Sequence, residues 1–221
     1  MENDFKGDKK QLNHLTRPFE RKIIDGCLPW VPLWMSTVHL TLMSIVWAVF
    51  VIFFGYLSNK NINWLWGFNL CIILQYITDM LDGEVGRIRN SGLIKWGFYM
   101  DHFCDYVFLY AVVIGYSFLI PLSSFFYLLL CLFVCAGFMV HVSLDFAITG
   151  SFKISFNRFG ISEIRYLLIM ANVIFIFLGK NLLIKAFPAI VSLSFAALLF
   201  VIYKSQKNYR LMDKNTPENP A

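Results

Sequence analysis

Six apolar stretches, separated by short polar connections, set the pattern of this 221-residue chain. They cover 37–56, 64–81, 96–119, 125–147, 163–178 and 186–203. Each approaches the roughly 20 residues that a helix needs to cross the hydrocarbon core of a bilayer. Ahead of them, 15–28 (LTRPFERKIIDGCL) mixes apolar positions with Arg17, Arg21 and Lys22, a pattern that predicts a short helix lying along a membrane surface. The following LPWVPLWM holds Pro29, Pro32, Trp30 and Trp34. Prolines interrupt helices and tryptophans favour the interface, so this run predicts an entry turn.

The expected fold is therefore an all-α integral membrane protein with six transmembrane helices after an amphipathic juxtamembrane helix. Residues 1–35 form a cytoplasmic interfacial segment, 36–205 the membrane domain, and 206–221 a disordered cytoplasmic tail. Composition agrees: 58% of residues are hydrophobic, against roughly 45–50% in soluble domains. Charge sharpens the topology. With the amino terminus inside, the inner segments hold 16 of the 19 Lys and Arg residues and the outer ones only Lys60, Lys180 and Lys185. That bias places both termini in the cytoplasm. The net charge of +5 thus reports topology, and nucleic acid is not an expected partner. Five cysteines, an odd number without a C-x-x-C pair, are expected as reduced small apolar residues. No apolar h-region marks a cleavable signal peptide near the start.

One stretch departs from the apolar pattern. The run 79–105 reads DMLDGEVGRIRNSGLIKWGFYMDHFCD. Asp79 and Asp82 are spaced i, i+3 and Asp101 and Asp105 i, i+4, so each pair lies on one helix face. Four neighbouring carboxylates raise one another's pKa unless cations lie between them. Ionisable groups in such segments mark functional sites. Gly83 and Gly86 lie off the acidic face, where a phosphate approaches backbone closely, and Arg87 offers a planar guanidinium matched to phosphate oxygens. Carboxylates for metal, metal for phosphate and an arginine for residual charge point to phosphoryl transfer. One carboxylate is left to take a proton from an attacking hydroxyl.

Asp79-x-x-Asp82-Gly83-x-x-Gly86-Arg87, followed by Gly97-x-x-x-Asp101-x-x-x-Asp105, resembles the signature of the CDP-alcohol phosphatidyltransferase family, with Gly86 where the family has alanine. The PLWMSTVHLTL run also looks like the family's first-helix entry: Thr37 and Val38 stand at its proline and asparagine places and Thr41 is kept. His39 is a candidate to replace the missing asparagine. The resemblance implies transfer of a substituted phosphate from a CDP-linked donor to an alcohol, with release of CMP. It implies metal binding by Asp79, Asp82, Asp101 and Asp105, with Asp105 as general base and two Mg²⁺ or Mn²⁺ ions as cofactors. It also implies nucleotide contacts from Asp82, Gly83, Arg87, Gly97 and Thr41. Expected partners are a CDP-linked lipid or alcohol donor, an alcohol acceptor and membrane lipid, with a homodimer as a further candidate.

Donor and acceptor divide two ways: CDP-diacylglycerol with a polar alcohol, ranked first for a compact six-span chain, or a CDP-choline or CDP-ethanolamine type donor with diacylglycerol. A reading of another class, an ion or metal transporter, is disfavoured because the acids lie at helix ends and no repeat is visible. Lys153, Arg158 and Arg165 are candidates for an acceptor pocket or a lipid phosphate. His102 lies about 100° round the helix from Asp101 and is expected to face a neighbouring helix. His141 and Asp145, spaced i, i+4, are expected to pair structurally.

Overall fold

The computed structural model describes residues 17–149 and 161–215. Among the described residues the chain is helical, without strands: α1 (Arg17–Cys27), α2 (Thr37–Ser58), α3 (Leu65–Ile88), α4 (Ile94–Ser117), α5 (Phe125–Thr149), α6 (Ile161–Leu178) and α7 (Lys180–Asn215). Single 3-10 turns at Leu28–Trp30, Ile62–Trp64 and Leu122–Ser124 join some of them. Each of the six apolar stretches falls on one of the helices α2 to α7. Thr37–Ser58, Leu122–Thr149 and Lys180–Lys214 are long and apolar enough to cross a membrane, and Ile164–Leu178 is a shorter apolar helix. α3 and α4 are 24 residues each, about 36 Å at 1.5 Å per residue, but carry the acids.

α3 and α7 differ most from their expected boundaries. α3 continues beyond 81 to Ile88, so the whole Asp79–Arg87 motif is helical. No proline interrupts it, and its glycines each cost only about 1 kcal/mol relative to alanine. α7 runs to Asn215 and includes the start of the expected tail, because the sequence there holds good helix formers and has its next proline only at Pro217. Residues 1–16 and 216–221, the ends of the expected interfacial segment and tail, lie outside the described residues.

One end of the bundle is apolar and tight. α2 and α4 meet at two glycines: a Cβ on Gly55 would lie 2.5 Å from the Cα of Gly115. A side chain is therefore excluded by backbone, not by a movable neighbour. Phe68 of α3 lies against Gly115, and Leu65, Ile72, Val51, Val112 and Leu119 fill the cluster around it. A polar chain beside this cluster is satisfied internally: the Tyr116 hydroxyl donates to Asn172 Oδ1, and Asn172 Nδ2 donates to Asn69 Oδ1 at 2.7 Å. It joins α3, α4 and α6 where unpaired amides are expensive.

The opposite end holds the acidic motif. A turn with two left-handed residues, Asn90 (φ 47°) and Gly92 (φ 67°), reverses the chain between α3 and α4. It sets the start of α4 beside the end of α3. Leu40, Leu81 and Val85 pack there with Cys27, Leu28, Val31 and Met35, seating α1 and the entry turn on α2 and α3. Arg89 fastens the same turn. Its guanidinium donates to the carbonyls of Val31 (3.2 Å), Pro32 (3.1 Å), Leu33 (3.3 Å) and Met35.

Candidate active site

The four aspartates converge. Asp101 is hydrogen-bonded to Asp79, and the charges of Asp79, Asp105 and Asp82 all act on it. α3 contributes the first pair and α4 the second, as the i, i+3 and i, i+4 spacings require. Like charges this close need a proton or a cation between them. Among the described residues, one cation bridges them. Arg165, at the start of α6, donates from Nη1 to Asp79 Oδ2 at 2.9 Å and from Nη2 to Asp105 Oδ1 at 3.0 Å. Its side chain is only 12% exposed, and its guanidinium lies over the Tyr76 ring, 5.1 Å from the centroid. Arg165 thus sits among the acids. Its partners there are the Asp79 and Asp105 carboxylates.

Two of the aspartates, Asp82 and Asp105, have neutral partners on a neighbouring helix. Thr41 Oγ1 lies 2.8 Å from Asp82 Oδ2 and 3.0 Å from the Thr37 carbonyl, with one proton to share between them. Thr37 Oγ1 donates to the Asp82 backbone carbonyl at 2.9 Å. Gln75, 0% exposed, donates from Nε2 to Asp105 Oδ1 at 3.1 Å, while its Oε1 has no hydrogen-bond partner among the described residues. Burying an amide with one end unmatched costs about 1–3 kcal/mol. Asp105 therefore shares one oxygen between Gln75 and Arg165. Tyr76 extends the site towards α1: its hydroxyl donates to Glu20 Oε1 at 2.6 Å, and the Tyr166 hydroxyl donates to it at 3.4 Å.

The glycines divide by role. A Cβ on Gly83 or on Gly97 would meet nothing within 4 Å, so both face open space. A Cβ on Gly86 would lie 3.3 Å from Thr37 Oγ1, so Gly86 serves the packing of α3 on α2 and not the approach of a phosphate. Beside Gly83, Glu84 takes Arg87 Nη2 at 2.5 Å and Arg21 Nη1 at 3.4 Å. The Arg87 hydrogen bond holds the Glu84 carboxyl below the usual carboxylate range, with the Arg87 and Arg21 charges adding to it.

Other expected residues take structural positions. His39 Nδ1 lies 2.7 Å from Ser36 Oγ and accepts from Ser36 N at 3.2 Å, so it caps the start of α2. His102 Nδ1 binds the Phe98 carbonyl at 2.7 Å and its ring packs on Phe98, with centroids 4.5 Å apart. Asp145 accepts from the Tyr209 hydroxyl of α7, a partner across helices and not His141 on its own helix. Lys153 and Arg158 lie outside the described residues.

The site suits hard divalent ions in kind, since four carboxylates supply oxygen donors. Among the described residues, no three His, Cys, Asp or Glu side chains are gathered about one point in a metal-holding arrangement. The position between Asp79 and Asp105 is instead bridged by Arg165. Sequence reasoning missed Gln75, Tyr76 and the Glu84–Arg21 contact. Gln75 carried a signal: it lies four residues before Asp79 and seven before Asp82, on the same face of an otherwise apolar run.

A sequence model of the CDP-alcohol phosphatidyltransferase family matches residues 33–203, more than half of the chain. No curated protein and no solved structure matches it.

Proposed function

The chain belongs to the CDP-alcohol phosphatidyltransferase family, and from that premise we propose that it makes a phospholipid by joining a CDP-linked donor, CDP-diacylglycerol first, to an alcohol hydroxyl. Enzymes of the family transfer phosphatidyl groups in membranes, use CDP-alcohol donors and alcohol acceptors, and generally depend on a divalent metal. The observation that carries the proposal is the convergence of Asp79, Asp82, Asp101 and Asp105 from two helices, with the Arg165 guanidinium the one cation bridging them among the described residues. One positive charge does not balance four carboxylates. Two Mg²⁺ or Mn²⁺ ions held by these four residues would supply the remaining charge and polarise the phosphate oxygens of the donor.

The chain's own groups then have separate tasks. Thr41 and Thr37 hold Asp82 in place from α2. Gly83 and Gly97 leave room for the nucleotide, and Arg87 binds its diphosphate. Gln75 and Arg165 orient Asp105, which takes the proton of the acceptor hydroxyl. The acceptor oxygen bonds to the phosphorus of the transferred phosphate, the bond from that phosphorus to the bridging oxygen breaks, and CMP leaves. Lys153 and Arg158, from the segment before α6, are assigned to the acceptor or a lipid phosphate.

The proposed topology has six spans with both termini and the acids on the cytoplasmic side. Its support is the 16-to-3 distribution of basic residues. A cysteine placed by Lys60→Cys should be labelled from outside intact cells; labelling only after permeabilisation would invert the topology. The reaction is tested by CMP release from purified protein in detergent with Mg²⁺ or Mn²⁺, across donor and acceptor combinations. Release with CDP-diacylglycerol and a polar alcohol is expected. Release only with a CDP-choline type donor and diacylglycerol would reverse the donor assignment, and silence with every pair would defeat the enzymatic reading.

A further inference from the structure

The family match begins at residue 33, so α1 lies outside it. Yet α1 delivers a side chain to the motif on α3. Glu84, on the turn after Asp82 and Gly83, is only 13% exposed and is held by two arginines from different helices. Arg87 Nη2 bonds one carboxylate oxygen at 2.5 Å and Arg21 Nη1 the other at 3.4 Å. Because both grip one carboxylate, their bonding nitrogens lie within about 8 Å of each other. The arginines themselves are 70% and 62% exposed, so most of their five N–H donors face outward. Next to them Gly83 opens onto free space.

Stability does not account for this array. Exposed ion pairs contribute about 0–1 kcal/mol, little reason to hold two guanidinium groups beside an open glycine. Recognition does account for it. Paired planar donors facing an unobstructed backbone match an anion with two phosphates, each taken by one guanidinium.

We propose that Arg21, carried on the helix ahead of the family's matched region, is a second diphosphate-binding residue: Arg21 and Arg87, spaced by Glu84, take the two phosphates of the donor. This rests on the CDP-donor reading above. Glu84 is a positioning residue that keeps both guanidinium groups at the mouth of the site. Arg21 has a further partner, Asp25, at 3.2 Å within α1. That contact provides a control, since losing it removes an ion pair from α1 without removing the guanidinium.

The test is calorimetric titration of CDP and of CMP into the full-length protein in detergent with Mg²⁺. Arg21→Gln is expected to weaken CDP binding by about tenfold and CMP binding by less than about threefold, because only CDP offers a second phosphate. Arg21→Lys should recover part of the loss, and Asp25→Asn should leave both affinities unchanged. Unchanged CDP affinity in Arg21→Gln would overturn the proposal. So would an equal loss for CDP and CMP, or a matching loss in Asp25→Asn, since either traces the effect to α1 itself. A wild-type protein that binds neither nucleotide would defeat the CDP-donor reading along with it.

Discussion

The two ends of the bundle are held together by opposite means. At the Gly55–Gly115 crossing, helices touch backbone to backbone and Phe68 closes the gap, so geometry is set by exclusion of volume. At the acidic end the same α2, α3 and α4, now with α6, are joined through Thr41 to Asp82, Gln75 to Asp105, and Arg165 to Asp79 and Asp105. There the geometry is set by charge and direction. The first end offers no room for a ligand. The second is made of groups whose partners are exchangeable, which is what a site that binds and releases charged substrates needs. A close-packed end fixes the helix axes; a polar end placed on those axes then needs few packing contacts of its own.

Substitutions at each end should separate these roles. The largest effect is expected from Asp105→Asn, which keeps the shape but removes the proposed base. Turnover should fall roughly 10²–10⁴-fold in the CMP-release assay with nucleotide binding largely kept. Full activity would remove Asp105 from that role. Next is Arg165→Gln, which leaves Asp79 and Asp105 without their shared cation. The protein without divalent ion should lose about 3 kcal/mol, seen as a lower midpoint in thermal unfolding, and added Mg²⁺ or Mn²⁺ should restore most of it. A loss that Mg²⁺ and Mn²⁺ leave uncorrected would mean that Arg165 supports the fold and not the charge balance of the acids.

Smaller changes sharpen the contrast. Thr41→Val preserves volume and deletes the hydroxyl bonded to Asp82. It should cost about 1.5–3 kcal/mol of interaction with the carboxylate, read as weaker Mn²⁺ binding by electron paramagnetic resonance. Equal Mn²⁺ affinity would show that the hydroxyl only serves the Thr37 carbonyl. At the apolar end, Gly55→Ala forces a methyl onto Gly115 backbone and should destabilise by about 1–3 kcal/mol whether or not divalent ion is present. Activity per folded molecule should be unchanged. A metal-dependent response in Gly55→Ala would mean that the two ends are not separable.

Much of this division was legible before any coordinates. The apolar runs located six helices because span length and hydropathy are strong signals, and the Asp79–Asp105 spacing predicted two carboxylate faces because a helix repeats every 3.6 residues. Partners across helices were not legible. Nothing in the spacing of Gln75 says which carboxylate on α4 it meets, and Asp145 was assigned its neighbour on the same helix when its partner is Tyr209, on another. Arg165 stands out in sequence as a candidate for an acceptor or a lipid phosphate, but its destination depends on how α6 leans on α3 and α4. The glycines show the same limit: Gly83 and Gly86 look alike in sequence, and only the approach of Thr37 tells the packing glycine from the open one. His39 resembled a ligand and is a cap, because Ser36 directly before α2 claims its ring nitrogen.

Arg89 joins the carbonyls of Val31, Pro32, Leu33 and Met35 to the end of α3. With Glu20 bonded to Tyr76 and Arg21 to Glu84, α1 is moored at both of its ends. It cannot ride up or down along the bundle without breaking these ties. If α1 lies along the membrane surface as its sequence predicts, its depth in the headgroup layer would set the height of the aspartates above the acyl chains. In that placement a change in bilayer thickness would leave the gap between α1 and the acids unaltered as long as these ties hold.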